Sequence, residues 1–500
     1  MLETQAAQPG TVALWSAPTV SGRRSSARPN VIFYVIDGGG ADQMSVYGYN
    51  RRTTPNLERL AAEGAVFEHA YSNSTWTKPS TTSFMTSLHN SVLGNVGDRF
   101  DPLPGEARTM AERFHAAGYA TAVIASNPWA GSLSTLERGV DVFRDLWVDP
   151  TSGSSVELHR DFWDWRDASP GEPYWVHFQT TDVHAEHRPP APFAHMFAPG
   201  GKAQEARWDS TLDQWRQRNA ALIQTEPGWQ QRQWAETGID RKHYFNLIRS
   251  LFDETMAHQD YQLGRFIERL QETGQWENTL LVIAADHSFS GSDHDFLVQL
   301  ADLLPPEWLW ARRGRSGAIF RSSVSRVPLV FIWSGHIAGG QRFRQPVSMI
   351  DVLPTVLELA GLPPPEVLQG QSLAPLLLGR AGWQPRPVIF DEFGKDQRTG
   401  ELRGRIEILD GRWGASLWIG PPRDTLNHRP TPLLLFDVWN DPLALRPVND
   451  EHPDLARRYS QLLQRQWEAH RLLARRFTAG GSVELTPEQL ESLRALGYIR

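Results

Sequence analysis

The sequence contains no cysteine, which excludes disulfides and thiolate metal sites and leaves the redox compartment open. No apolar run approaches the ~20 residues a membrane-spanning helix needs. Residues 1 to 30 lack the charged start and apolar stretch of a secretion leader. The expectation is therefore a soluble protein, cytoplasmic by default, and periplasmic or extracellular if a leader has been removed. Positive charge is not concentrated either: 50 Lys and Arg are outnumbered by 57 Asp and Glu, the formal net charge is -7, and the basic residues are scattered. Nucleic acid is not an expected partner.

What is present is a chain of 500 residues with 40% apolar content, enough to bury one large core and a smaller annex. Residues 1–28, rich in Ser, Ala, Pro and Arg without periodicity, read as a flexible arm. Val31 to Ile36 is a continuous apolar run, as in a central parallel strand covered on both faces, and it ends in Asp37-Gly38-Gly39-Gly40. Open α/β sheets place ligand chemistry at the carboxyl tips of such strands, although an Asp there also serves as a turn former. Asn278 to Ala285 repeats the design and ends in Asp286-His287. Two such carboxylates at one sheet edge repel unless a cation lies between them. His287 adds a nitrogen, so the set suits Mn2+ or Zn2+, with Ca2+ or Mg2+ less natural.

Between these runs lies Thr77-Lys78-Pro79-Ser80-Thr81, followed by Phe84, Met85 and Leu88 at helical spacing. Pro79 suits a first helical turn, so Thr77 stands at a helix start among unpaired N–H groups that favour an anion. Thr77 is either a plain helix cap or a nucleophile. Tyr174 to Gln179 reads as a further strand, followed by His184 and His187 in a proline-rich loop where His187 is expected at the surface. Tyr244 to Leu270 reads as a long helix, in which Asp260 is expected to cap or pair rather than catalyse, and 195–240 is a polar insertion without an assigned structure, a lid or a substrate wall. Past residue 380 the pattern changes to short strands (387–390, 405–409, 433–437) with an Asp410-Gly411 turn, then a helix over Pro453 to Ala474.

Arg28-Pro29-Asn30-Val31 through Asp37, then Thr54-Pro55-Asn56-Leu57, Trp76 to Ser80, Asp286-His287 and Val347 to Pro363 together resemble the sulfatase family of the alkaline phosphatase superfamily, from about residue 28 to the end. The resemblance implies an α/β fold with a mixed, mostly parallel sheet flanked by helices, and a small C-terminal antiparallel sheet with a helix. It divides the chain into a catalytic domain at 29–380 and a C-terminal subdomain at 381–500. The family carries its nucleophile in a Cys/Ser-x-Pro-Ser-Arg element, whose Cys or Ser is oxidised to formylglycine. Thr77 cannot give that aldehyde, because its hydroxyl carbon bears a methyl group.

The resemblance therefore implies an unmodified Thr77 nucleophile, as in phosphotransferring branches of the superfamily, with one divalent metal on Asp37, Thr77, Asp286 and His287. A second Asp often follows the first in the family, but Gly38 stands here. His184 and His294 are the implied partners of the leaving oxygen. Lys78 and Asn127 are the implied substrate contacts, each with a bland alternative, a solvated lysine and a turn-forming asparagine. Arg312, Arg313 and Arg315 lie near a family lysine without a match that selects one. Expected substrates are small-molecule, lipid-linked or sugar-linked phosphoesters (diester, phosphonate or monoester). The rivals are a sulfuric ester hydrolase and a catalytically weak binding protein that keeps the fold.

Overall fold

The computed structural model describes residues 28–94, 101–146, 154–169, 173–184, 187–225, 229–288, 319–320, 325–395, 401–420 and 433–478, with isolated positions beyond. His294, Arg312, Arg313 and Arg315 lie outside these. The run that ends in Asp37 is β1 (Asn30–Ile36), buried in all but its first residue. Val31, Phe33 and Val35 join a core with Phe84, Met85 and Phe114 on one face, while Ile32, Tyr34 and Ile36 join a second core with Leu57, Phe162 and Phe266 on the other. A strand with helices on both faces has no wet side, which is why its sequence is apolar throughout.

The strands that follow are β2 (Ala65–Phe67), β3 (Ala70–Tyr71), β4 (Ala120–Ala125), β5 (Val142–Asp145), β6 (Tyr174–Thr180), β7 (Thr279–Ala284), β8 (Arg326–Val327), β9 (Leu329–Ile332), β10 (Gln341–Phe343) and β11 (Val347–Ser348). The main sheet has eight of them in the order β10-β2-β9-β7-β1-β6-β4-β5. Its pairings are parallel except that β9 runs against both neighbours. The apolar run from Arg326 to Trp333, one strand by sequence, is split at Pro328, which has no N–H to give a ladder. Consequently β8 pairs with β3 in a small three-stranded sheet and β9 enters the main one.

The helices that frame the site are α1 (Pro55–Ala62), α2 (Thr77–Thr86), α3 (Asn90–Leu93), α4 (Met110–Ala116) and α5 (Ser155–Ala168). Sequence spacing predicts one buried face for α2, yet all ten of its residues are buried. Several of the polar ones bond to carbonyls: Thr82 Oγ1 donates to Lys78 O at 2.9 Å and Thr86 Oγ1 to Thr82 O at 2.7 Å, while Ser83 Oγ is buried with no hydrogen-bond partner among the described residues. Within 195–240 lie three helices, α6 (Gly201–Arg218), α7 (Ala220–Thr225) and α8 (Trp229–Thr237), which precede the long α9 (Arg241–Glu272). Charge pairs within α6 and α8, Lys202–Glu205 and Arg232–Glu236, accompany a mostly polar sequence in which Trp208, Leu212 and Trp215 at helical spacing on α6 are the main apolar signal, Leu212 and Trp215 being buried. His187 is only 2% exposed, packed edge-on to Phe252, which corrects the surface expectation.

Asp260 on α9 does cap, but it caps another helix. Its carboxylate accepts the backbone N–H groups of Asn56 and Leu57, both at 2.8 Å, at the start of α1. Gly264, one turn on, lets the helices touch: a Cβ there would lie 2.6 Å from the Asn56 side chain. Asp260→Leu would leave the N–H groups of Asn56 and Leu57 and the Asn56 side-chain amide without this acceptor, so it is expected to lower stability by roughly 2–3 kcal/mol in denaturant titrations. Asp260→Asn, which keeps one acceptor, should lose less.

Beyond residue 380, β12 (Val388–Lys395), β13 (Leu402–Asp410), β14 (Trp413–Ile419) and β15 (Leu433–Asp437) form an antiparallel meander. The turn between β13 and β14 is the expected one, with Gly411 at a φ of +60° that favours glycine. The helix Pro453–Ala474 covers this sheet through Tyr459 and Leu463. Its far end carries His470, which stacks on His89 with centroids 4.8 Å apart and meets Ser91 Oγ at 2.7 Å through Nδ1. Asp391 of β12 completes this buried group, accepting the Ser91 N–H at 2.7 Å and lying 3.7 Å from His89 Nδ1. His89 and Ser91 belong to the segment directly after α2. Among the described residues no helix is long and apolar enough to cross a membrane.

Candidate active site

Strand register brings the two acidic tips together. Val35 pairs with Ala284 in the parallel β1–β7 ladder, so two residues on Asp37 arrives beside Asp286. Both side chains are fully buried. Asp286 Oδ1 accepts two backbone N–H groups, from Gly38 at 3.0 Å and from His287 at 2.9 Å. Gly38 has a φ of +68°, the left-handed conformation that favours glycine and points its N–H at the neighbouring carboxylate.

Asp37 Oδ2 accepts Asn127 Nδ2 at 2.6 Å and Gln179 Nε2 at 3.0 Å. Asp37 Oδ1 is buried and has no hydrogen-bond partner among the described residues. His287 Nδ1 faces Ser288 O at 2.9 Å, so that nitrogen donates and Nε2 is turned toward the carboxylates, 3.7 Å from Asp37 Oδ1 and 3.6 Å from Asp286 Oδ2. Ligands at ~2.0–2.2 Å from one tetrahedral cation sit roughly 3.3–3.6 Å apart, close to these spacings. With its orphaned buried oxygen and mixed oxygen and nitrogen donors, the group Asp37, Asp286 and His287 fits one divalent metal. Burial, with Asp37 alongside, pushes the Asp286 carboxyl up to about 6. For His287 burial opposes the charged form, but the two carboxylates outweigh it and hold its pKa above the ordinary value.

Thr77 stands against this group. It is the first residue of α2, and the capping position belongs to Trp76, whose side chain makes no cap bond. The hydroxyl is therefore not occupied as a helix cap. Its Oγ1 lies 3.4 Å from His287 Nε2 and 3.3 Å from Asn127 Nδ2. Asn127 is held in that orientation because its Oδ1 accepts the Trp129 N–H at 2.9 Å, which leaves the amide N–H groups facing Asp37 and Thr77. It is thus both a turn former and a donor at the site.

The other sequence candidates are placed less centrally. Lys78 is 1% exposed rather than solvated, with Nζ donating to Asp101 O at 2.6 Å and lying 5.9 Å above the Trp129 ring. Thr81, where the family motif has Arg, turns its hydroxyl to Lys78 O and Trp129 O. His184 sits in the turn after β6 with its N–H on Thr181 O, outside the Asp37–Asp286–His287 group. Gln179 was not singled out by sequence. Its one signal was an amide at the penultimate position of an otherwise apolar-flanked strand that adjoins β1.

Comparison with known proteins finds similarity along most of the chain. The Sulfatase family model matches residues 29–362. An arylsulfatase of Clostridium perfringens is 23% identical over 74% of this chain and 82% of its own length. The N-acetylgalactosamine-6-sulfatase of Mus musculus is 24% identical over 87% of this chain and 85% of its own. Among solved structures, the phosphonate monoester hydrolase of Agrobacterium radiobacter superposes with a TM-score of 0.64 at 19% identity, covering 89% of this chain and 96% of that one. Matched along two thirds of its length, including every strand that delivers a residue to the site, the chain belongs to the sulfatase family and is a metal-dependent ester hydrolase of the alkaline phosphatase superfamily.

Proposed function

We propose that the protein cleaves phosphoester-type substrates (phosphodiester, phosphonate or phosphomonoester) with unmodified Thr77 as the nucleophile. One divalent cation, Mn2+ or Zn2+ by preference over Ca2+ or Mg2+, is held by Asp37, Asp286, His287 and Thr77. The observation that carries this reading is the placement of the Thr77 hydroxyl, free of capping and flanked by Asn127 Nδ2 and His287 Nε2. A bound divalent cation supplies charge that lowers the pKa of a nearby hydroxyl and neutralises a non-bridging phosphoryl oxygen.

The chain's own groups do the rest. Thr77 Oγ1, its proton released to solvent, forms the bond to phosphorus as the bond to the leaving oxygen breaks, and α2 presents its N-terminal N–H groups to the anion. Asn127 Nδ2 stays aimed at Oγ1 because Trp129 holds the other end of the amide. His184 and His294 are the proposed proton donors to the leaving oxygen, and Lys78 with Asn127 the proposed substrate contacts. Water or an acceptor alcohol then attacks phosphorus and releases Thr77. With no Arg at position 81 and two carboxylates offset by one divalent cation, a singly charged diester or phosphonate centre is favoured over a doubly charged monoester.

The sulfatase relatives favour a second reading, hydrolysis of sulfuric esters. Turnover of an aryl phosphodiester, an aryl phosphonate monoester, a phosphomonoester and an aryl sulfate by the Mn2+- or Zn2+-loaded enzyme separates the two. The phosphodiester or phosphonate should lead the sulfate in kcat/KM by roughly a hundredfold or more. Preference for the sulfate overturns the proposal.

A further inference from the structure

One amide at the site touches both acidic tips. Gln179 Nε2 lies 3.0 Å from Asp37 Oδ2 and 3.2 Å from Asp286 Oδ2, so its two hydrogens serve one carboxylate each. Its other end, Oε1, is buried and has no hydrogen-bond partner among the described residues. An unsatisfied buried carbonyl costs ~1–3 kcal/mol, so the amide is oriented by what its nitrogen does and not by what its oxygen gains. Asn127 is the contrast: its oxygen is bonded to Trp129, and its nitrogen reaches only one of the two carboxylates.

We infer that Gln179 is a positioning residue for the metal, a neutral strut that sets the separation of Asp37 and Asp286 and keeps Asp37 Oδ1 and His287 Nε2 open to one cation. The register makes this possible. Gln179 pairs with Val35 in the β1–β6 ladder, and β1 lies between β6 and β7, so its side chain reaches over the tip of β1 to Asp286 beyond. Neutrality matters as much as reach. A lysine at this place would neutralise a carboxylate and compete with the cation, whereas an amide holds both oxygens and leaves their charge intact. Gly38 contributes no carboxylate, so the bridge from Gln179 ties together the two acidic groups that are present.

The inference rests on the metal site of the proposed function but not on the Thr77 chemistry, and the test reads metal directly. Metal-free wild-type, Gln179→Met and Gln179→Glu proteins are titrated with Mn2+ and Zn2+ against a chromophoric chelator, and each is melted with and without metal. Met keeps the length and bulk of Gln but has no N–H. Gln179→Met should bind about 10–100-fold more weakly, the range for losing a hydrogen-bond partner of a ligating carboxylate. Gln179→Glu sets a third carboxylate beside the other two, so its metal-free form should melt lower and gain more from metal than wild type does. Wild-type-like affinity in Gln179→Met, or equal metal-induced shifts in Gln179→Glu and wild type, overturns the inference while leaving the metal site standing. Absence of stoichiometric metal in the wild type overturns both.

Discussion

Thr77→Ala is expected to reduce phosphoester turnover by on the order of 10³-fold or more, with metal affinity changed far less. The size follows from the role: removing a nucleophile abolishes the covalent route, and what remains is the binding and charge stabilisation the rest of the site supplies. Thr77→Ser should retain much more activity, since it keeps the hydroxyl and loses only a methyl group. The pair is informative because Thr77→Ser keeps the buried oxygen beside Asn127 and His287 while Thr77→Ala removes it, and thermal melts of both variants separate lost chemistry from lost structure. Rapid-quench trapping of a phosphorylated protein, seen in wild type and Thr77→Ser but not in Thr77→Ala, would tie the loss to covalent chemistry. Equal turnover by Thr77→Ala and wild type would overturn Thr77 as the nucleophile.

The second large effect is on the metal. Asp37→Asn should cost more affinity than the roughly 10–100-fold expected of an outer hydrogen-bond partner, because it removes a ligand charge. It should also make the metal-free protein more stable near neutral pH. The substitution is shape-neutral: the oxygen of Asn can take the place of Oδ2, accepting from Asn127 and Gln179, while its NH2 occupies the place of the partnerless Oδ1.

The sign with pH follows from Asp286, whose carboxyl is pushed up to about 6 by burial and by Asp37. An acid with a raised pKa in the fold stabilises it below its unfolded pKa of ~4 and loses that contribution as pH rises through the folded value. Removing the Asp37 charge relieves part of this loss. The stability advantage of metal-free Asp37→Asn over wild type should therefore be larger at pH 7.5 than at pH 4.5, read from thermal melts in the presence of a chelator. An advantage that is constant across this range would argue that the two acids do not interact.

The centre of the site was legible in the sequence because burial and chemistry meet there in a single pattern. Val31–Ile36 and Thr279–Ala285 are apolar on both faces, so an acid at the end of each can only be at a sheet edge. Thr77 was legible through Pro79 and the spacing behind it. Gln179 was not, because Tyr174–Thr180 mixes His and Gln with aromatics, and one polar residue in such a strand looks like alternation. Its role depends on which strands become neighbours, and this is a property of the assembled sheet. The helices α6–α8 escaped for a different reason: α6 and α8 are mostly polar around a few apolar residues such as Trp208, Leu212 and Trp215, and α7 is only six residues long, so the periodic signal is weak. Likewise His187 was misplaced because a proline-rich loop suggests solvent, whereas its ring packs against α9.

The stacked His89–His470 pair has a bearing on how the chain can be cut or recombined. Asp391 comes from β12, the first strand of the C-terminal sheet, and His470 from the helix that covers that sheet, and both close onto His89 and Ser91 at the start of α3. A truncation that stops short of β12 would therefore strip the partners from a pair of buried polar groups one short turn behind the nucleophile's helix. Swapping this terminal module between relatives would succeed only if donor and recipient carry the same four-way handshake.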